Sequence, residues 1–270
     1  MSTIAVDPFK EFKQRQREGW KFFAPLETFT TLAAAQLANF AQIQPGQTVL
    51  DVGTGTGVAA ITARRRGARV SALDLTPELL QRAREHSAIA GITDIDWKEG
   101  DAESLPYGDG SFDVVTSQFG HMFAPRPDVA IGEMLRVLKP GGRIAFSTWP
   151  PDLYVGRMLA MVSKYSPPPP PGASPPGQWG EPAIVRERLG DRVHDLVFTG
   201  GLMLIPALSP QHYRASIETT AGPVIKLVES LANDAPKLAA FRAELEALAA
   251  EYHADNAIRQ DYLMTRATKK

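Results

Sequence analysis

No cysteine occurs in the 270 residues. That excludes a disulfide framework, thiolate-bound zinc, iron-sulfur centres and a cysteine nucleophile, and leaves metal chemistry to His, Asp and Glu alone. Long apolar runs are also missing. No stretch has the ~20 uninterrupted apolar residues needed to cross a bilayer, and the opening MSTIAVDPFKEFKQRQREGW lacks the basic head and apolar core of a secretory leader. A cytoplasmic protein is expected. Nor is there an excess of charge: 29 Lys and Arg face 30 Asp and Glu, for a net charge of -1. So weak a field argues against a phosphate backbone as partner, and a small molecule is the expected one. No internal repeat or heptad array is present.

What the chain has is a globular composition, 44% apolar and 22% charged, at a length that can bury about 73% of its surface. Short apolar runs alternate with longer helical patterns, the signature of a sheet covered by helices. Five strands are predicted: TVLDV from Thr48, RVSALD from Arg69, DIDWK from Asp94, FDVVTS from Phe112 and RIAFST from Arg143. The intervals mostly admit crossover helices, so the strands should be parallel. One helix should start at a Thr76 cap, with Pro77 in its first turn, and run to about Ala90. Another should bury Val129, Met134, Leu135 and Leu138 and stop at Pro140-Gly141-Gly142.

Outside this core, Pro167 to Pro176 holds seven of the 22 prolines and cannot form a regular helix or central strand. A polyproline ligand, a stiff substrate-side lid and a plain spacer all remain open readings. Leu238, Phe241, Leu245 and Leu248 form a helical stripe started by Asp234 and Pro236. The closing DYLMTRAT reads as one more strand, so that helices after Pro210 would interrupt strand pairing. Trp20, Phe22, Phe23 and Phe29 either close an aromatic entrance or pack into the core. The expected organisation is a single domain over 1–270, with a helical substrate-side segment at 1–45 and a cofactor-binding core at 46–149. A proline-rich insertion with helices at 150–192 and the remaining sheet and lid elements at 193–270 complete it.

The most informative segment is VLDVGTGTG, where a strand ends at Asp51 and passes through Gly53, Thr54, Gly55 and Gly57 into a helix. At Gly53 and Gly55 a Cβ could forbid the turn or occupy ligand space, and Gly57 could permit close packing of helix and sheet. Asp74, at the end of the next strand, can accept two hydrogen bonds from a ribose diol. The spacing is not the GxGxxG of nicotinamide-dependent oxidoreductases, and the Lys-Ser/Thr ending of a P-loop is missing.

These residues, with GDAESLPYGDGSFDVVTS from Gly100 and LRVLKPGGRIAFSTW from Leu135, resemble the class I S-adenosylmethionine-dependent methyltransferases. The similarity is greatest to the small-molecule branch related to ubiquinone and menaquinone biosynthesis, and covers about 100 of the 270 residues. It implies a Rossmann-like α/β fold with a mostly parallel seven-stranded sheet flanked by helices. It implies S-adenosylmethionine as cofactor and methyl transfer to an O, N or C nucleophile of a small acceptor by direct in-line displacement. A non-enzymatic sensor of the same ligand, or an oxidoreductase, is the alternative, and a homodimer is compatible with either. By the same resemblance, Asp51 and the Gly53–Gly57 turn surround the methionine portion, Asp74 holds the ribose, and Asp101 with the Ala102 backbone reads adenine. Leu75 and Leu105 are apolar candidates beside the adenine. In SQFGHMFAP, Gln118, Phe119 or His121 could meet cofactor or acceptor, and His121 is the visible candidate for a proton acceptor. The histidines form no compact metal-ligand motif.

Overall fold

In the computed structural model, which describes residues 7–270, two helices precede the sheet, α1 (Lys10–Trp20) and α2 (Glu27–Phe40). The first six residues of the expected 1–45 segment lie outside the described residues. The core then alternates as read from the apolar runs. It comprises β1 (Thr48–Val52), α3 (Val58–Arg65), β2 (Arg69–Asp74), α4 (Pro77–Ile89), β3 (Asp96–Glu99), β4 (Phe112–Gln118), α5 (Pro127–Val137) and β5 (Leu138–Thr148). After it come α6 (Tyr154–Tyr165), α7 (Pro182–Leu189), β6 (Val193–Pro206), α8 (Pro210–Thr220), α9 (Gly222–Ser230), α10 (Ala235–Tyr252), the two-residue β7 (His253–Ala254) and β8 (Ala257–Lys269).

The sheet runs in the order β3-β2-β1-β4-β5-β8-β6, with β7 pairing to β8 at the side. β3 through β5 are parallel, and β8 is antiparallel to both β5 and β6. Strands covered on both faces need apolar residues on both, and Val49, Leu50 and Val52 of β1 are fully buried. The closing strand forms as expected. α8, α9 and α10 fill the long connection between β6 and β8, so this part of the chain is completed by the sheet. Asp234 caps α10 by accepting from the Lys237 amide, and Phe241, Leu245 and Leu248 are buried beneath it. No described helix is long and apolar enough to cross a membrane.

Several local expectations need correction. β3 begins at Asp96, not Asp94. α5 starts with Pro127 in its first turn, so Ala130, Ile131, Met134 and Leu135 face inward and Val129 points out, 39% exposed. Leu138 belongs to β5, where it pairs with Phe112. The register then shifts, and pairing resumes at Val114 with Arg143. The Pro140-Gly141-Gly142 stop therefore lies inside an irregular strand start. Thr76 stands at the cap position of α4, but its side chain caps nothing. Its amide donates instead to Asp74 Oδ1 at 2.8 Å.

Candidate functional site

A parallel sheet presents its loops at the carboxyl ends of its strands, and a crevice opens where the strand order reverses. Here β1 is flanked by β2 on one side and β4 on the other. A cavity of about 260 Å³ lies at that end, lined by Gly53 and Gly55 after β1, Asp74 and Leu75 after β2, and Asp101 and Ala102 after β3. Gln118, Phe119 and Gly120 line it after β4, and Trp149 after β5.

The three glycines of the turn have different uses. Gly53 meets Gly120: a Cβ on Gly53 would lie 2.8 Å from the Gly120 Cα, and one on Gly120 would lie 2.6 Å from the Gly53 carbonyl oxygen. These two glycines let the β1 and β4 loops touch. Gly55 has φ +55° and no atom of the described residues within 4 Å of its Cβ position, so the backbone there borders open cavity. A Cβ on Gly57 would strike Trp97 of β3 at 2.7 Å and Ala83 of α4 at 2.9 Å. Its role is close packing, though against the neighbouring strand and helix and not its own.

Two carboxylates sit at this turn. Asp74 Oδ2 accepts from the Gly55 amide at 2.7 Å, which ties the β2 end to the glycine turn. Burial holds the Asp74 carboxyl above the ordinary range, partly offset by the Thr76 and Gly55 amides, the Thr76 hydroxyl and the Leu75 amide. Asp51 is 1% exposed and does not line the cavity. It accepts from the Thr54 hydroxyl at 2.6 Å and the Thr116 hydroxyl at 3.0 Å, bracing the turn from below. Burial raises its carboxyl to about 6, against the pull of those two hydroxyls and with the push of the Asp74 charge. Thr54 is likewise spent inside the turn, its amide bonded to the Leu73 carbonyl.

Asp101 is held from an unexpected direction. Its Oδ1 accepts from the Glu103 amide at 2.9 Å, and its Oδ2 takes the ammonium of Lys13, on α1, at 2.6 Å. Lys13 also bonds Asp7 at 2.7 Å and the buried Glu103 at 2.6 Å. Burial alone would lower the Lys13 ammonium, but the three carboxylates hold it above its usual value. These acids lie close enough together to ligate a metal, and the ammonium stands at their centre. Farther along α1, Gly19 packs against Gly222 of α9 so closely that a Cβ on Gly222 would lie 2.3 Å from the Gly19 carbonyl oxygen. α1 thus bridges the adenine-side loop and the late helices.

His121 does not reach the cavity. It is 1% exposed, neither ring nitrogen has a partner among the described residues, and its ring packs 4.6 Å from Phe146 and 4.7 Å from Trp179. Desolvation, with Arg188 nearby, lowers its pKa to about 3. A proton-acceptor role does not fit this position. Trp179 arrives there from the end of the proline-rich segment, where the Ser174 amide donates to the Pro125 carbonyl. Residues 167–176 do not line the cavity, so the segment buttresses the β4 loop from outside, and the lid reading gains no support.

Beyond the strand ends, Trp20, Phe23 and Phe29 line the cavity, and Phe22 does not. Leu105 is buried in the core, away from it. Phe119 has φ +60°, a left-handed conformation costly for a bulky residue. In it, the ring stacks on Trp149 at 4.0 Å and 8°. Gln118 donates its amide to the Thr30 carbonyl of α2 at 2.8 Å. Sequence reasoning missed Lys13, Tyr213 of α8 and Gln260 of β8. The Gln260 amide donates to the Tyr213 hydroxyl at 3.0 Å in the cavity wall. Burial pushes the Tyr213 hydroxyl up to about 12, so it is protonated at neutral pH.

Residues 50–146 match the family described as a methyltransferase domain. That match spans the glycine turn and both strand-end acids, and the chain belongs to the class I S-adenosylmethionine-dependent methyltransferases, with S-adenosylmethionine as methyl-bearing cofactor. Along most of its length it is similar to the uncharacterised protein Rv1403c of Mycobacterium tuberculosis, 36% identical over 234 residues, 86% of this chain and 85% of that protein. Over a shorter span it is similar to the ubiquinone/menaquinone biosynthesis C-methyltransferase UbiE of Roseobacter denitrificans. There it is 41% identical over 102 residues, 37% of this chain and 41% of the relative. In fold it is similar to the crystal structure of YcgJ from Bacillus subtilis, with a TM-score of 0.56 and 18% identity over 88% of this chain and 97% of that one.

Proposed function

We propose that the acceptor enters the apolar half of the cavity and that its O, N or C nucleophile meets the methyl group at the Phe119–Gly120 loop. The observation that carries this reading is the continuity of the cavity. One wall holds Lys13, Gly55, Asp74 and Asp101, and the other is built from the end of α1 at Trp20, α2, α6, β6, α8, α9 and β8. The first wall fits the cofactor: open space over Gly55 for close approach, the Asp74 carboxylate at the cavity edge for a ribose diol, and Asp101 with the Ala102 backbone for an adenine edge. Bound there, S-adenosylmethionine supplies an electrophilic methyl group on a sulfonium. The acceptor's nucleophile forms a bond to that carbon as the carbon-sulfur bond breaks. The electron pair stays on sulfur in S-adenosylhomocysteine, and any acceptor proton passes to solvent. The protein's contribution is to hold the reactants in line and exclude water, which can supply most of the acceleration of a displacement.

Asp51 acts through Thr54 and Thr116 to hold the turn in shape. Calorimetry tests the reading: wild type binds S-adenosylmethionine and S-adenosylhomocysteine, and Asp74→Asn weakens both by about 100-fold, the loss of two charge-assisted hydrogen bonds. Unchanged binding by a folded Asp74→Asn protein would remove the ribose role.

A further inference from the structure

We infer that the acceptor is an uncharged, largely apolar molecule bearing a hydroxyl group, and that Tyr213 and Gln260 read that hydroxyl. The inference rests on the methyl-transfer reading and names its substrate class. Among the described residues, the charged side chains lining the cavity are Lys13, Asp74 and Asp101. All three belong to the cofactor wall, and two of them are paired with each other. A charged acceptor would lose its hydration in the remaining space without meeting a counter-charge, a large cost. That space is bounded by Trp20, Phe29, Trp149, Met158, Met203 and Ile217. The aromatic faces suit a flat or extended apolar body, and the methionines adapt to its outline.

In this wall Tyr213 and Gln260 are 3% and 8% exposed. Their mutual bond uses one amide N–H and one phenol lone pair. The carbonyl oxygen of Gln260 has no partner among the described residues, and beyond Gln260 the Tyr213 hydroxyl has beside it only the Tyr154 hydroxyl, itself buried and without another hydrogen bond. Polar groups this buried are ordinarily satisfied. Here a donor and an acceptor stand side by side at the edge of a cavity, the complement of a hydroxyl that accepts from one and donates to the other. The high pKa of Tyr213 keeps it a donor across the neutral range. Both residues lie outside the 50–146 methyltransferase match, in the late elements that wrap the acceptor half, so they are placed to select the acceptor and not the cofactor.

The test is equilibrium dialysis of the full chain saturated with S-adenosylhomocysteine. The probes are 1-naphthol and 4-octylphenol, the carboxylates 1-naphthoate and 4-octylbenzoate, and 1-methylnaphthalene, which lacks a polar group. The expected result is binding of both phenols at least about 30-fold more tightly than the carboxylates, and about 10-fold more tightly than the hydrocarbon. Tyr213→Phe and Gln260→Leu should each weaken the phenols about 10-fold and erase the preference over the hydrocarbon, with S-adenosylhomocysteine affinity reporting an intact fold. Carboxylates bound as well as phenols, phenols not bound, or phenol binding indifferent to both variants would each overturn the inference. Failure of the wild type to bind S-adenosylhomocysteine would instead overturn the methyl-transfer reading beneath it.

Discussion

Replacing His121 by Leu should make the protein less sensitive to acid without removing its chemistry. The imidazole is sealed between Phe146 and Trp179 with both nitrogens unpaired, and its pKa falls to about 3. In the unfolded chain it returns to about 6.5. Because the folded value is the lower one, the unfolded state binds more protons between these limits, and stability falls as pH falls through the window. From pH 7 to pH 5 this one group costs the folded state about 2 kcal/mol. Asp51 acts in the opposite sense: raised to about 6, it favours the folded state by about 1 kcal/mol over the same interval. The pH dependence of the wild type alone therefore hides both. The difference between wild type and His121→Leu isolates the histidine. Urea unfolding of the ligand-free proteins should place the variant within about 1 kcal/mol of wild type at pH 7, since Leu conserves volume and removes two orphaned nitrogens. At pH 5 it should have gained about 2 kcal/mol relative to wild type. A difference independent of pH would refute the buried neutral imidazole. Loss of acceptor methylation in a variant that still binds cofactor would restore His121 as a base.

The glycine pair separates fold from binding. Gly120→Ala drives a Cβ into the Gly53 backbone and should lower stability by more than about 3 kcal/mol in urea. Gly55→Ala meets open space at φ +55°: it should cost only about 1–2 kcal/mol yet weaken S-adenosylmethionine binding at least about 10-fold, and equal stability losses would refute the division. Lys13→Met leaves three carboxylates around an empty centre, one of them buried. It should cost about 3 kcal/mol and expose the chain before Glu27 to limited proteolysis, whereas an unchanged cleavage pattern would show that α1 is held without the ammonium.

Much of the core was legible because its signals are local. The alternating runs from Thr48 to Thr148 carry their own periodicity, and the three glycines and Asp74 declare a turn and a strand end within about 25 residues. The features that escaped are those made by long-range closure. Lys13 reads as one of many charges on an amphipathic helix. Only the folded chain brings it 88 residues across to Asp101 and 90 to Glu103. Tyr213 and Gln260 meet because β8 returns antiparallel to β6 after three helices. His121 was misjudged for the converse reason. Its place just past β4 suggested the cleft, but the left-handed turn at Phe119 is followed by a short helical turn that carries the imidazole inward, to a Trp179 that no local pattern could place there. The glycine at position 120 was the available clue that the β4 loop would lie against the β1 turn.

Acceptor-dependent methyl transfer is directly measurable. Purified protein should be incubated with methyl-tritiated S-adenosylmethionine and a panel of neutral phenols, alcohols, amines and charged acids, with a no-acceptor control. Products should then be resolved by mass. Label is expected in a methylated product of the acceptor, with S-adenosylhomocysteine formed in equal amount and only when acceptor is present. Cofactor bound tightly but never consumed with any acceptor would contradict methyl transfer and leave a ligand sensor in its place.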